Sequence, residues 1–414
     1  MFPVIAILIF YVLFVFIIKK LLSAKRIQLS AVEISIAFGF KILLGCLYGY
    51  IYGHYYGGDD TWAIHATSLQ EKKLLVEHPV QFFREYSPET AIRNGSNFWQ
   101  TCRFYIADLE YCLLVKTLGY FNLISRGNYY INIVFFNFIV FWGHYWLFRL
   151  TAEIFPTKKK MLFFCIFLFP PVVFWLSGLR ADGLLFFFLS LLFLHFQSWT
   201  HSRKLVNLLN LIIGFAGVLI MRPPFALLLI PALIAWLIIM RFNLRPLRTF
   251  LTTYFISAIL FFATSIISSR VSLPAMVVRR QQEFFNLKGN TVFKLDSLQP
   301  DFKHFAIVLP QAINNSFFRP YPWEWKGILQ LAAVIESLIL LLAVLMNFWK
   351  PDQPWRLFLA NPLVLVFLFF SVSLYLFIGY TVPFPGAIVR YKIIPELLLF
   401  CLLALHIKWE KIIN

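Results

Sequence analysis

Apolar runs of about 20 residues recur along the chain, and a run of that length crosses the hydrocarbon core of a bilayer as an α-helix. Only two long polar stretches, 53–128 and 269–326, interrupt them. The pattern predicts an all-α, polytopic helical membrane protein with about eleven transmembrane helices, in which residues 1–414 form a single transmembrane domain. The predicted spans are 2–20, 33–52, 129–148, 161–177, 183–199, 205–221, 224–240, 249–268, 327–348, 357–378 and 392–407.

The composition agrees with this pattern. Hydrophobic residues make up 60% of the chain and charged residues only 14%, and the mean hydropathy is +0.75. Soluble domains typically carry about 25% charged residues. The composition therefore excludes an ordinary soluble enzyme and makes membrane lipids the first expected partner.

The net charge of +18 comes largely from short loops between the predicted spans. If the first loop is cytoplasmic, every alternate short loop is basic, as the positive-inside rule requires. This accounts for much of the basic excess, so we expect no nucleic acid partner. The polar motifs then share the outer face. The basic loops contain Arg149, Lys158, Lys159, Lys160, Arg203, Lys204, Arg241, Arg245, Arg248, Lys350 and Arg356, and the tail contains Lys408 and Lys411.

The two polar stretches are predicted to be outer loops. The first, 53–128, is expected to contain two amphipathic helices at the membrane interface. The second, 269–326, ends in a proline- and tryptophan-rich segment at 319–325, which is typical of an interfacial loop re-entering the membrane. The residues at helical spacing are Trp62, Ala66, Leu69 and Val76 in the first helix, and Phe98, Cys102, Tyr105, Leu109 and Cys112 in the second.

An adjacent carboxylate pair, Asp59 and Asp60, follows Gly57-Gly58 at the start of the first outer loop. Such a pair can supply a general base that deprotonates a hydroxyl group, with the second carboxylate as its orienting partner. Aspartate is also a good N-cap for the helix expected to follow. Adjacent carboxylates further permit a divalent metal without specifying one.

Cations on the same face are candidates for binding phosphate. Arg180 and Asp182 lie in the polar turn 177–183, where they can bind and orient a phosphate, and the alternative is a mutual ion pair. Arg222 lies between two spans, where it can equally serve as an interfacial anchor.

The later outer segments add further cations. Arg319 and Glu324 lie in the returning segment, and Arg390, Tyr391 and Lys392 precede the last span. Outer loops are normally poor in lysine and arginine, which favours a function for Arg390 and Lys392. Three more charged residues, Lys41, Glu336 and Glu396, fall inside predicted spans, where charge is costly and often functional.

Taken together, these motifs resemble the GT-C superfamily of membrane glycosyltransferases. The resemblance covers nearly the whole chain, as short scattered motifs. It departs from the usual pattern of the superfamily in one respect: the acidic pair usually follows the first span, and in this chain it follows the second. The motifs are the Asp59-Asp60 pair, the Trp-x-Ser-Gly-x-x-x-Asp-Gly turn at 175–183, the Arg-Pro-Tyr-Pro-Trp-Glu segment at 319–324 and the Gly-x-x-x-Arg-Tyr segment at 386–391.

The resemblance implies inverting transfer of a sugar from a polyprenyl-phosphate or polyprenyl-diphosphate donor to a glycan, lipid or protein acceptor on the non-cytoplasmic face. Asp59 or Asp60 would deprotonate the acceptor. The donor phosphate would be held by basic residues of the later outer loops, for which the candidates are Arg180, Arg222, Arg319, Arg390 and Lys392. A bacterial inner membrane, with the active site facing the periplasm or exterior, is the expected location.

Two other functions are consistent with a multi-span chain of this kind. A polysaccharide polymerase of the O-antigen type would use outer arginines on lipid-diphosphate glycans and give the acidic pair no central role. A lipid or solute transporter would carry out no chemistry and would depend on intramembrane charges such as Lys41 and Glu336.

Overall fold

The computed structural model of the chain describes residues 2–87, 98–267, 272–287, 292–324 and 327–409. Within these ranges every named element is helical, which confirms the predicted multi-pass helical architecture. The count of about eleven spans is not confirmed. Eight of the described helices are long and apolar enough to cross a membrane, or nine if the bent pair Pro156–Leu168 and Pro170–Ser177 is one span.

The number of predicted spans exceeds the number of candidate membrane helices because some of the helices are too short. Each predicted span falls mainly on helical residues, and 161–177 falls on the bent pair. Two of the helices, Leu205–Met221 and Ile393–His406, are shorter than 18 residues. A helix rises about 1.5 Å per residue, so 14 residues cover only about 21 Å of a core about 30 Å thick. An apolar run in the sequence therefore marks a helix more reliably than a complete crossing.

The chain divides into two compact units, Met1–Ala226 and Leu227–Asn414. We call them unit 1 and unit 2. The helices of unit 1 are α1 (Phe2–Leu22), α2 (Ala31–Tyr50), α3 (Asp60–Glu77), α4 (Pro79–Arg84), α5 (Phe98–Tyr111), α6 (Thr117–Ser125), α7 (Tyr129–Ile154), α8 (Lys159–Phe163), α9 (Pro170–Ser177), α10 (Ala181–Ser202) and α11 (Leu205–Met221).

The next helix, α12 (Pro223–Phe242), contains the division between the units. The helices of unit 2 are α13 (Pro246–Ile267), α14 (Leu273–Phe285), α15 (Phe302–Ile313), α16 (Ile328–Trp349), α17 (Trp355–Phe358), α18 (Pro362–Thr381), α19 (Pro385–Tyr391) and α20 (Ile393–His406). Five-residue π-helical turns occur at Ile51–Tyr55, Cys112–Lys116, Phe164–Leu168 and Asn314–Phe318, and a 3₁₀ turn at Pro156–Lys158.

The centre of unit 1 is α7, which packs against α1, α2, α6 and α10. Most of α7 is buried within the protein, whereas most of α1 is exposed and rests on α2 and α7 from outside. Because it is buried along most of its length, α7 belongs to the core of unit 1. α9 packs against α2, α7 and α10, and these contacts position its C-terminal end, where the polar turn 177–183 begins.

A close helix contact fixes the position of that turn. A Cβ atom on Gly45 of α2 would lie 2.8 Å from the backbone oxygen of Ser177 and 2.8 Å from Ile133 Cγ2. We expect Gly45→Ala to lower the free energy of unfolding by about 1–3 kcal/mol, because added volume in a packed interior forces its neighbours apart. Thermal unfolding of the purified protein measures this. Gly386→Ala is the matched control, since no atom lies within 4 Å of the added carbon, and equal melting temperatures for the two variants would contradict the prediction.

The first predicted helix of the outer loop corresponds to α3. Leu69 and Val76, which belong to its predicted apolar face, are exposed, and the side buried within the protein consists of polar side chains. These polar groups find partners on neighbouring helices: Ser68 accepts a hydrogen bond from Asn122 at 2.8 Å, and Glu71 accepts one from the Tyr111 hydroxyl at 2.6 Å. The buried polar residues of α3 are Thr61, His65, Ser68 and Glu71.

The second predicted helix corresponds to α5, and again the buried residue is polar. Tyr105 and Leu109 are exposed, while Asp108 is buried and accepts a hydrogen bond from the Ser87 hydroxyl at 2.6 Å. In both helices apolar residues of the predicted spacing are exposed, and polar residues are buried against the rest of the protein. Buried polar groups must be hydrogen-bonded, and their partners are distant in sequence.

Candidate active site

The acidic pair is placed by a sharp change of direction at the end of α2. Gly57 and Gly58 have φ angles of 68° and 111°, in the left-handed region that favours glycine. The backbone N–H of Gly58 donates to the Tyr52 carbonyl at 2.8 Å and closes the turn. Asp59 then occupies the N-cap position of α3, and Asp60 is the first residue of that helix.

Hydrogen bonds from side chains of α2 and α7 fix the start of the polar turn 177–183. Lys41, which is fully buried, donates to the Ser177 hydroxyl at 3.1 Å, and Asn137 donates to the Ser177 carbonyl at 2.9 Å. The intramembrane lysine of the sequence therefore has a neighbouring partner. These contacts fix the backbone from which the Arg180 side chain extends.

The guanidinium group of Arg180 joins the two motifs, which are about 120 residues apart in the sequence. Its Nη1 lies 2.5 Å from Asp59 Oδ2 and its Nη2 lies 2.6 Å from Asp60 Oδ2. Its Nε lies 3.6 Å from Asp182 Oδ2, so each guanidinium nitrogen faces a different carboxylate. The predicted ion pair of Arg180 with Asp182 is present, but it is the longest of the three contacts.

Arg180 is a permanently charged group in this position. Its side chain is only 4% exposed. Burial by itself lowers the pKa of the guanidinium, but Tyr48 and the three carboxylates outweigh burial and raise that pKa above its ordinary value. A buried charge is tolerated only where opposite charges and hydrogen bonds compensate it, and the carboxylates supply that compensation.

The side chain of Asp59 does not act as a helix cap. Among the described residues, no backbone N–H of α3 donates to its carboxylate, although Asp59 stands at the N-cap position. The carboxylate turns instead towards Arg180 and the Tyr48 hydroxyl, which donates to it at 3.4 Å. Its side chain is 23% exposed, whereas that of Asp60 is 64% exposed. The N-cap alternative therefore describes the backbone of Asp59 but not its carboxylate.

Tyr48 and Thr61 belong to the site but were not predicted. The Tyr48 hydroxyl accepts a hydrogen bond from Arg180 Nη1 at 3.1 Å, and the residue is fully buried in α2. The Thr61 hydroxyl contacts the Tyr129 hydroxyl at 2.8 Å and donates to the Leu179 carbonyl at 3.3 Å, which ties α3 to the polar turn. Sequence spacing gives no signal for Tyr48, because an aromatic residue within an apolar span is most simply packing bulk.

Arg222 extends the site through a second ion-pair network. Its Nη1 donates to Glu110 Oε1 at 3.2 Å, and its Nη2 lies 3.7 Å from Asp182 Oδ1. Its side chain is 29% exposed, so this guanidinium is the more accessible of the two in the cluster. Glu110 of α5 was not predicted, since a single glutamate on an outer-loop helix carries no distinguishing pattern.

Glu110 is expected to make stability depend on pH. Burial raises its pKa above the ordinary 4.5, and Arg222 offsets this only in part. A carboxyl group with a raised pKa binds its proton more tightly in the folded state, so its contribution to stability is greatest below about pH 4.5 and falls as the pH rises through the raised pKa. Because glutamine does not titrate, the melting temperature of Glu110→Gln minus that of the wild type should increase as the pH is raised from about 4 to about 8.

Glu77→Gln provides the control for this titration. The Glu77 side chain is 52% exposed and lies 3.9 Å from Lys73, so it tests the same chemical change on the surface of unit 1. A Glu110→Gln difference that is constant with pH, like that of the control, would show that the Glu110 carboxyl is not perturbed by burial.

The remaining predicted residues lie in unit 2. Arg319 Nε is 3.5 Å from Glu324 Oε1, and its guanidinium stacks on the Phe293 ring. Arg390 stacks on Tyr391 and donates to its hydroxyl at 3.0 Å. Their contacts with a donor phosphate remain predictions. Lys392 is a different case, because its side chain is 1% exposed and lies beside Glu396 rather than at an accessible surface.

The described residues contain no group of three or more histidine, cysteine, aspartate or glutamate side chains arranged to hold a metal ion. At Asp59 and Asp60, the Oδ2 atoms of both carboxylates point to Arg180. This arrangement assigns the pair to a guanidinium partner, and a divalent metal there remains only a hypothesis from the sequence.

Comparison of the chain with protein-family models, with curated proteins and with solved structures gives no match.

Proposed function

We propose that the protein is a membrane glycosyltransferase that transfers a sugar, with inversion, from a polyprenyl-phosphate-linked donor to a hydroxyl group of a glycan, lipid or protein acceptor. The observation that carries the proposal is the convergence of Asp59 and Asp60 on buried Arg180. A helix cap needs no such arrangement, whereas a general base needs a carboxylate held in one orientation.

The base in this proposal is Asp60. Its carboxylate is 64% exposed, so an acceptor hydroxyl can approach it, while one oxygen stays fixed by Arg180 at 2.6 Å. Asp59 is less exposed, and Tyr48 and Arg180 both contact it. We assign Asp59 the role of positioning Arg180, which in turn orients Asp60.

In this mechanism the acceptor oxygen attacks the anomeric carbon of the donor sugar. Asp60 takes the hydroxyl proton as the new carbon–oxygen bond forms, and the bond to the phosphate oxygen breaks with its electron pair leaving on the phosphate. A phosphate leaving group needs stabilisation by cations more than it needs protonation. Arg222, as the more accessible guanidinium of unit 1, is the residue we propose for that contact.

The charge of the cluster is consistent with glycosyl transfer. Four carboxylates surround two guanidinium groups, so the cluster has an excess of negative charge when all of them are ionised. Positive charge develops on the sugar ring during glycosyl transfer, and fixed negative groups stabilise it. The same excess weighs against a polymerase of the O-antigen type, because Arg180 is already occupied by carboxylates.

The test is sugar transfer by the purified protein in detergent. The donors are polyprenyl monophosphate and diphosphate sugars, offered with a panel of glycan, lipid and peptide acceptors, with and without a chelator. Turnover with inversion at the anomeric carbon would support the proposal. Transfer that extends a lipid-diphosphate glycan by whole repeat units, and that does not require the acidic pair, would instead identify a polymerase.

A further inference from the structure

A second group of buried charges lies in unit 2 and takes no part in the proposed glycosyl transfer. It consists of Glu336 on α16, Lys392 between α19 and α20, and Glu396 one turn into α20. Their exposed fractions are 2%, 1% and 1%. Charged side chains are almost never fully buried unless they are paired, so a group of three requires an explanation.

The lysine is paired with only one of the two carboxylates. Lys392 Nζ lies 3.4 Å from Glu396 Oε2 and donates to the Ser337 hydroxyl at 3.3 Å. Glu336 interacts electrostatically with both Glu396 and Lys392. No ion pair of Glu336 occurs among the described residues, so the second carboxylate of the group lacks a cation of its own.

Oxygen atoms in this group also lack hydrogen-bond donors. Among the described residues, Glu336 Oε1 and both carboxylate oxygens of Glu396 are buried without a hydrogen-bond partner. The hydroxyl of Tyr375 on α18 is also buried without a hydrogen-bond partner among the described residues. This fully buried residue interacts electrostatically with both glutamates. Such unpaired polar atoms are rare in protein interiors, and each indicates something that completes the site.

The balance of charge indicates what completes it. Two carboxylates and one ammonium leave an excess negative charge among side chains that are almost fully buried, and an uncompensated charge of that kind costs several kcal/mol or more. A single proton removes the excess charge and supplies one O–H donor, which can reach one of the unpaired oxygens. A metal cation would need several oxygen ligands and would be repelled by the adjacent ammonium.

We propose that Glu336 and Glu396 form a buried proton-binding site in unit 2, in which one exchangeable proton resides on Glu336 and Lys392 keeps Glu396 ionised. The O–H bond forms on the Glu336 carboxyl when a proton is taken up from water. Release of the proton leaves the excess negative charge behind, so it requires water or another cation to reach the site. Unit 2 therefore has the chemistry of a proton-coupled element, independently of glycosyl transfer.

Infrared spectroscopy of the purified full-length protein at about pH 7 tests this directly, because a protonated carboxyl group has a carbonyl band that shifts in D2O. We expect Glu336→Gln to lose the band of one carboxyl group relative to the wild type. Glu77→Gln, at an exposed position, should leave the spectrum unchanged. Identical spectra for the wild type and Glu336→Gln would overturn the proposal.

Lys392→Met provides a second test, in which the carbonyl band should grow rather than shrink. This test does not require the Glu336→Gln protein to fold. Without the ammonium, both carboxylates need a proton, so the band should grow by one carboxyl group. No growth in a folded Lys392→Met protein would contradict the charge balance. Spectra in sodium and choline buffers complete the test, since a band that appears only when sodium is removed would make the bound cation sodium and not a proton.

Discussion

Asp60→Asn is expected to lower the rate of sugar transfer by about 10²–10⁴-fold, the range that a general base typically contributes. Asp60 is the first residue of α3 and Asp59 holds its N-cap position, so the substitution removes the base without changing the N-cap residue. Binding of the donor should be retained, because the phosphate contact belongs to other residues. Single-turnover transfer and a separate donor-binding measurement distinguish the two effects.

The control for this substitution is Asp301→Asn in unit 2. Asp301 caps α15 in the usual way, with its carboxylate accepting from the backbone N–H of His304 at 3.0 Å. We expect full activity from that variant. Wild-type turnover in both Asp60→Asn and Asp59→Asn would remove the acidic pair from the mechanism and favour the polymerase or the transporter. Loss of turnover in Asp59→Asn alone would transfer the role of the base to Asp59.

Arg180→Met is expected to lower the free energy of unfolding by about 3 kcal/mol and to abolish turnover. Removing one member of a buried ion pair leaves the others uncompensated, which typically costs about 3–5 kcal/mol. We expect the lower end, since the Asp60 carboxylate is largely exposed to solvent. Thermal and denaturant unfolding in detergent measure the change.

Two further variants show whether the loss comes from the charges. Combining Arg180→Met with Asp59→Asn should recover part of the stability, because fewer carboxylates are then left without a cation. Arg222→Met should cost at most about 1 kcal/mol, since its ion pairs are partly exposed. Equal losses for Arg180→Met and Arg222→Met would mean that the central position of Arg180 has no energetic significance.

The stability and activity measurements also separate the proposals for the two units. A failure of sugar transfer with every donor would remove the proposed function but leave the infrared test of Glu336 and Lys392 unaffected. Conversely, identical spectra for the wild type and Glu336→Gln would leave the role of Asp60 untouched. The two sites consist of different residues, so neither result decides the other.

The sequence by itself determined the helices of this protein and the chemistry available to it. Apolar runs of helical length depend only on local composition, so each predicted span lies mainly on helical residues. The Gly57-Gly58 turn and the acidic pair after it are equally local, because only the neighbouring residues decide them. The apolar pattern did not determine whether a helix is long enough to cross a bilayer, since α11 and α20 are both shorter than 18 residues.

Only the tertiary structure decided which side chains meet. Arg180 contacts Asp59 and Asp60 across about 120 residues of sequence, and no periodicity encodes a contact of that kind. The polar face of α3 is buried because hydrogen-bond partners such as Tyr111 lie on other helices, and apolar spacing gives no information about those partners. Burial of a polar group is favourable only when its partner is in place, and that depends on the packing of distant segments.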